Sequence, residues 1–268
     1  MRVSVIQLGI TDGRSKAGTT AHALGLIDSV GEADLVLLPE IWNVGFFSFD
    51  EYHSEAETLD GPTVMAFREK AAQRSTHIHM GSFVEKGEGG FFNTSVLIGP
   101  AGEVLATYRK VHLFGFELKE HQVLTPGKGI TVVSTDIGRF GLATCYDLRF
   151  PEQFRIMMKQ GVQVFLIASA WPSPRIAHWR LFNRSRALEN LCFNVACNCA
   201  GTNHGSEFGG NSMVVNPLGE VVASLQEKPG VLSQEIDLEE VDETRKKFPF
   251  VGDMVDLDAG EYSCGSGV

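Results

Sequence analysis

Apolar and polar residues alternate along this chain with two periods. The alternating run at residues 3–8 (VSVIQL) and the buried-looking apolar run at 35–39 (LVLLP) have the pattern of strands. Between them Leu24, Ile27 and Val30 recur at helical spacing and predict a helix over about 21–30. A second helix near 63–74 follows the DGP turn at 60–62. HIHMGSFVE (77–85), the GEGG turn and FNTSVLI (92–98) read as a hairpin, and VLATYR (104–109) returns from a PAGE turn. Residues 110–129 form a long loop, and loops of that length inside compact domains usually serve function. Strands TVVSTDI and FGLATC follow, then a helix opened by Pro151, strand VQVFLIAS and a helix over about 176–190. NVACNCA, SMVVN and VVASL come next, and then a polar, less regular tail.

Strands alternating with helices predict a layered α/β fold. SVLIGPAGEVLATY (95–108) is echoed by SMVVNPLGEVVASL (212–225), which hints at two similar βα halves facing each other. Pro and Gly make P-x-G-E a good turn in any protein, so the echo is suggestive only.

Composition narrows the function. With 43% hydrophobic and 21% charged residues the 268-residue chain is an ordinary globular sequence, expected as one domain over 1–268. A formal net charge of −10 argues against nucleic-acid or anionic-membrane partners, because phosphate binding needs clustered Lys and Arg. Met1 leads straight into a strand pattern without a secretory segment, no apolar stretch is long enough for a membrane span, and the five cysteines are odd in number. The expectation is reduced thiols in a cytoplasmic protein.

Three residues able to carry chemistry stand where strand patterns stop: Glu40 after LVLLP, Lys110 after VLATYR and Cys145 after FGLAT. A thiol becomes a nucleophile when a carboxylate takes its proton, and an ammonium stabilises both a thiolate and a later oxyanion. Taken singly, each has an ordinary use as core cysteine, loop carboxylate or solvated lysine.

Around them VLLPE (36–40), YRKVHLF (108–114) and CYDLRFPE (145–152) resemble, in order, the glutamate, lysine and cysteine signatures of the nitrilase, or carbon–nitrogen hydrolase, superfamily. LTPG (124–127), SAWP (169–172), RALEN (186–190) and GGNSMVVNPLGEV (209–221) are similar to further stretches of that family, so the likeness covers nearly the whole chain. The resemblance implies a four-layer αββα sandwich and at least a homodimer, paired across helices near Pro151 and Ile176, with the tail of about 248–268 at the interface. It implies a thioester on Cys145, Glu40 as base and acid, and Lys110 with the Tyr146 N–H at the oxyanion. Neither metal nor organic cofactor is implied. Glu120 matches the family's second glutamate, and Glu117 competes for that place.

A small aliphatic amide is the expected substrate, within a pocket walled by Trp42, Phe46, Phe47 and Trp171. CYDLRFPE looks closest to the amidase branches, including ω-amidases, whose substrates carry a distal carboxylate; Arg149 or Arg175 would bind it. Asp147 and Glu152 flank Arg149, however, and a local salt bridge is its expected use. Nitrile or N-carbamoyl substrates, acyl transfer to an amine or alcohol, and a silent binding or redox-sensing scaffold remain alternatives. Cys192, Cys197 and Cys199 lack zinc spacing and are expected in the core, the latter two on one strand face; His77 and His79 lack a third ligand. His112 is expected to order its loop rather than act as a base.

Overall fold

The computed structural model describes residues 1–115 and 119–255. Two six-stranded sheets lie face to face. One runs from edge to edge as Gly230–Glu235, Arg2–Gln7, Leu35–Leu37, His77–Gly87, Gly90–Ile98 and Val104–Arg109. The other runs Val221–Ser224, Met213–Val215, Phe193–Asn198, Val164–Ser169, Gly138–Thr144 and Thr131–Thr135. The three central strands of each sheet are parallel. Parallel neighbours require a crossover, and helices supply it. Lys16–Ser29 and Pro62–Arg74 cover the first sheet, Pro151–Lys159 and Ile176–Asn190 the second. The four-layer αββα sandwich is the architecture the resemblance implied.

The two-residue period of the strands distributes side chains between layers. Val3, Val5, Leu35 and Leu37 meet Phe140, Leu142, Val164 and Leu166 between the sheets. Their neighbours Ile6, Val36 and Leu38 pack outward with Ala23, Ile27 and Phe67 of the first helical layer. Ala143, Phe165 and Ile167 do the same with Phe154, Met157 and Trp179 of the second. Burial on both faces is why LVLL and VFLI read as unbroken apolar runs.

The sequence echo is architectural. Its two copies form equivalent hairpins on the flank of each sheet. The turn glycines Gly102 and Gly219 share a positive φ, 82° and 76°, and each carbonyl accepts a hydrogen bond from a helix arginine: Arg68 Nε at 2.7 Å and Arg184 Nε at 2.9 Å. Each half then sends its last strand to the other half's sheet. Thr131–Thr135 pairs with Gly138–Thr144, and Gly230–Glu235 pairs with Arg2–Gln7.

That last strand corrects the irregular tail expected from the sequence. Gly230–Glu235 is an edge strand with Val231, Ser233 and Glu235 exposed, so it carries no apolar signature. Helix Glu239–Lys247 follows, acidic in its first turn and basic in its last, as the helix dipole favours. Cys197 and Cys199 are both buried but do not share a strand face. The strand ends at Asn198, leaving Cys197 in the core between the sheets and Cys199 in the outer core beside the Glu40 carbonyl.

Candidate active site

The strand ends that carry Glu40, Lys110 and Cys145 converge. Glu40 leaves the strand Leu35–Leu37 of one sheet and is caught by the other: its N–H reaches the Ser169 carbonyl at 3.3 Å, and its Oε2 accepts the Ala170 N–H at 2.8 Å. Lys110 is anchored by its backbone, its N–H on the Asn93 carbonyl and its own carbonyl accepting the Gly127 N–H, both at 2.8 Å. Gly127 closes LTPG because a side chain there would run into the Arg109 carbonyl. From this base the Lys110 ammonium donates to Glu40 Oε1 at 2.8 Å and to both Glu120 oxygens at 3.0 Å. Glu120 opens the one-turn helix Glu120–Val123 within the long loop and also accepts the Phe114 N–H at 2.6 Å. All three side chains are fully buried. Glu117 lies outside the described residues.

Cys145 sits just past the strand Gly138–Thr144 with φ at +47°, a left-handed conformation costly for any residue with a Cβ. Its thiol lies close enough to Glu40 and Lys110 for both charges to act on it. Burial pushes that thiol well above its ordinary pKa and the Glu40 carboxylate adds to the effect, against the pull of Lys110. Burial alone would lower Lys110, but Glu120 and Glu40 more than offset it and hold the ammonium charged. Burial also raises Glu120, with Lys110 opposing. The resting site therefore pairs a neutral thiol with a carboxylate acceptor and a fixed cation. Such a thiol ionises only as a partner takes its proton, so deprotonation and attack are coupled.

A pocket opens over Cys145, lined by Phe46, Phe47, Phe114, Tyr146, Trp171, Pro172, Arg149 and Arg175. The cavity is narrow, about 20 Å³, well below the usual volume of ligand clefts. Phe46, Tyr146, Trp171, Arg149 and Arg175, all singled out in the sequence, thus share one cavity with Cys145. Trp42 does not. It is buried in the outer core, its indole N–H on the Met80 carbonyl at 2.7 Å.

The expected salt bridge of Arg149 is absent among the described residues. Arg149 instead lies 5.2 Å from the ring centres of Trp171 and Phe182, with an Nη2 to His178 Nδ1 contact of 3.3 Å. Asp147 is occupied elsewhere. The Arg175 guanidinium sits 5.4 Å from the Phe114 ring.

Comparison with known proteins agrees with this geometry. The profile of the Carbon-nitrogen hydrolase family matches residues 2–246. The chain belongs to the carbon–nitrogen hydrolase family. It is a hydrolase acting on carbon–nitrogen bonds other than peptide bonds. It is similar to a 2-oxoglutaramate amidase of Paenarthrobacter nicotinovorans, 36% identical over 236 residues that cover 85% of this chain and 80% of the relative. An omega-amidase of Homo sapiens is 33% identical, with 92% of each chain covered. Among solved structures, a carbon–nitrogen hydrolase superfamily protein from Xanthomonas campestris with an arsenic adduct in its active site superposes with a TM-score of 0.89. It is 32% identical, with 97% of this chain and 99% of that chain covered.

In this carbon–nitrogen hydrolase, two polar residues that the sequence reading missed complete the site. The Asn93 amide NH₂ donates to Glu40 Oε1 at 2.8 Å and to Glu120 Oε1 at 2.9 Å, holding two carboxylates side by side. Its signal was a polar residue on a fully buried face of FNTSVLI, and such a group must find partners. Asp147 is the second, fully buried and tied to the loop after Lys110. Among the described residues no helix is long and apolar enough to cross a membrane, and no three His, Cys, Asp or Glu side chains group as metal ligands.

Proposed function

We propose that this hydrolase releases ammonia from small monoamides that carry a distal carboxylate, through a thioester on Cys145. The observation that carries the substrate class is the pair Arg149 and Arg175, which form no ion pair among the described residues and flank the pocket over Cys145. A guanidinium with no carboxylate partner among the described residues, at a half-buried rim, favours a bidentate carboxylate ligand. The amidase and omega-amidase names of the relatives support the same reading.

In the chemistry this implies, Glu40 takes the Sγ proton as the thiolate attacks the amide carbon. The oxyanion forms toward the Lys110 ammonium and the Tyr146 N–H. Glu40 then delivers its proton to the amide nitrogen, the carbon–nitrogen bond breaks, ammonia leaves and the thioester remains. Water gives a proton to Glu40 and its oxygen attacks the thioester carbon; the thiolate is expelled and recovers the proton, and the carboxylic acid departs. Glu120, with both oxygens on Lys110, orients the ammonium.

Succinamate is expected to exceed butyramide in kcat/KM by about 10- to 100-fold, the worth of a charge-assisted contact. Arg149→Ala or Arg175→Ala should erase that preference while butyramide turnover stays within about threefold. A wild-type preference for butyramide would reject the carboxylate reading in favour of a general aliphatic amidase.

We also propose a homodimer. The outer helices Pro151–Lys159 and Ile176–Asn190 expose Ile156, Leu181 and Leu188, with Leu181 60% accessible, and Phe248 and Phe250 are exposed as well. The tail from residue 256 lies outside the described residues. Light scattering at micromolar concentration is expected to give twice the chain mass; a monomer mass would reject the assembly.

A further inference from the structure

Asp147 is a fully buried carboxyl group that the thioester chemistry leaves unused. Its Oδ2 accepts the Tyr108 hydroxyl at 2.7 Å and the Thr144 N–H at 2.9 Å. Its Oδ1 accepts the His112 N–H at 3.1 Å and the His112 Nδ1–H at 2.8 Å. These donors come from three segments: the strand just before Lys110, the loop just after it, and the residue before Cys145. The Phe150 ring stacks on the His112 imidazole, with centroids 3.7 Å apart and planes 8° from parallel. The segment 145–150 thus offers both an acceptor and a stacking surface, and the loop after Lys110 inserts His112 between them.

A fully buried carboxylate is costly unless its charge is compensated, so none of these donors is free to drift. Tyr108 and His112 each lie two residues from Lys110, while Thr144 and Asp147 lie one and two residues from Cys145. One carboxylate therefore clamps together the two segments whose side chains must meet within a fraction of an ångström.

We propose that Asp147 is a positioning residue, fixing Lys110 against Cys145 through Tyr108, His112 and Thr144. The inference rests on the thioester reading. Its expected signature is a loss of kcat with substrate affinity retained, because Asp147, Tyr108, His112 and Thr144 are not among the residues that line the pocket.

The test compares wild type with Asp147→Asn, Tyr108→Phe and His112→Ala, measuring kcat and KM for succinamate and butyramide. Melting temperature and the rate of Cys145 alkylation by iodoacetamide, followed by intact mass, are measured alongside. Asp147→Asn is expected to lower kcat about 100-fold with KM within about threefold, the effect of misplacing reacting groups by an ångström, and to slow alkylation in parallel. Tyr108→Phe and His112→Ala, which each leave some of the donors in place, are expected to lower kcat by about 3- to 10-fold with the same split. If folded Asp147→Asn keeps kcat within about threefold of wild type, or KM rises as much as kcat falls, the positioning role is overturned. Should Asp147→Asn fail to fold, unchanged kcat in both Tyr108→Phe and His112→Ala overturns it. Wild-type enzyme without Cys145-dependent turnover instead defeats the thioester reading itself.

Discussion

Cys145→Ala is expected to bring amide turnover below about one per cent of wild type, since the proposed acyl intermediate forms on its sulfur. The fold should hardly notice. The substitution removes one sulfur atom beside an open pocket, and the left-handed backbone at Cys145 is equally unfavourable for cysteine and alanine, so its strain cancels. Cys145→Gly, which relieves that strain, should be at least as stable as Cys145→Ala. The measurements are kcat for succinamate and the melting temperature of each variant, with intact mass after substrate exposure to detect the acyl adduct. Residual turnover above about five per cent in Cys145→Ala would defeat the thioester mechanism.

Replacement of Lys110 should cost both rate and stability. Lys110→Met keeps the volume but leaves Glu40 and Glu120 fully buried without their shared cation. Breaking a buried ion pair from one side typically costs about 3–5 kcal/mol, and losing one oxyanion donor costs about 100- to 1000-fold in rate. The expected result is a large fall in kcat together with a lower urea midpoint. A variant with kcat within about tenfold of wild type would remove Lys110 from the oxyanion role. Asn93 does not replace it, because its neutral amide holds the two carboxylates together without cancelling their charge.

The chemistry was legible where a chemically capable residue interrupts a strong local pattern. Glu40, Lys110 and Cys145 each follow an apolar strand, and the family motifs around them name the pair that Glu120 completes. Asn93 was hidden because it lies inside a strand, where a polar residue ordinarily faces solvent; here both sheet faces are covered. Arg149 misled for the opposite reason. Its neighbours Asp147 and Glu152 suggested a local salt bridge, yet Asp147 points into the core toward Tyr108 and His112, leaving Arg149 among aromatic rings at the pocket. The edge strand Gly230–Glu235 escaped notice because pairing on one side with Arg2–Gln7 demands backbone groups and few apolar side chains.

The sequence by itself determined the strand and helix periods, the duplicated hairpins, and which residues are candidates for the chemistry, since all of these are encoded in short windows and in motifs. Only the tertiary structure decided which charges neutralise which. Lys110 meets Glu40 across 70 residues of chain, and Glu40 is held by the Ala170 N–H across 130. Local propensity carries no information over such separations. A buried charge is tolerable only where several donors or counter-charges converge on it, and that convergence exists only once both sheets have closed over the site.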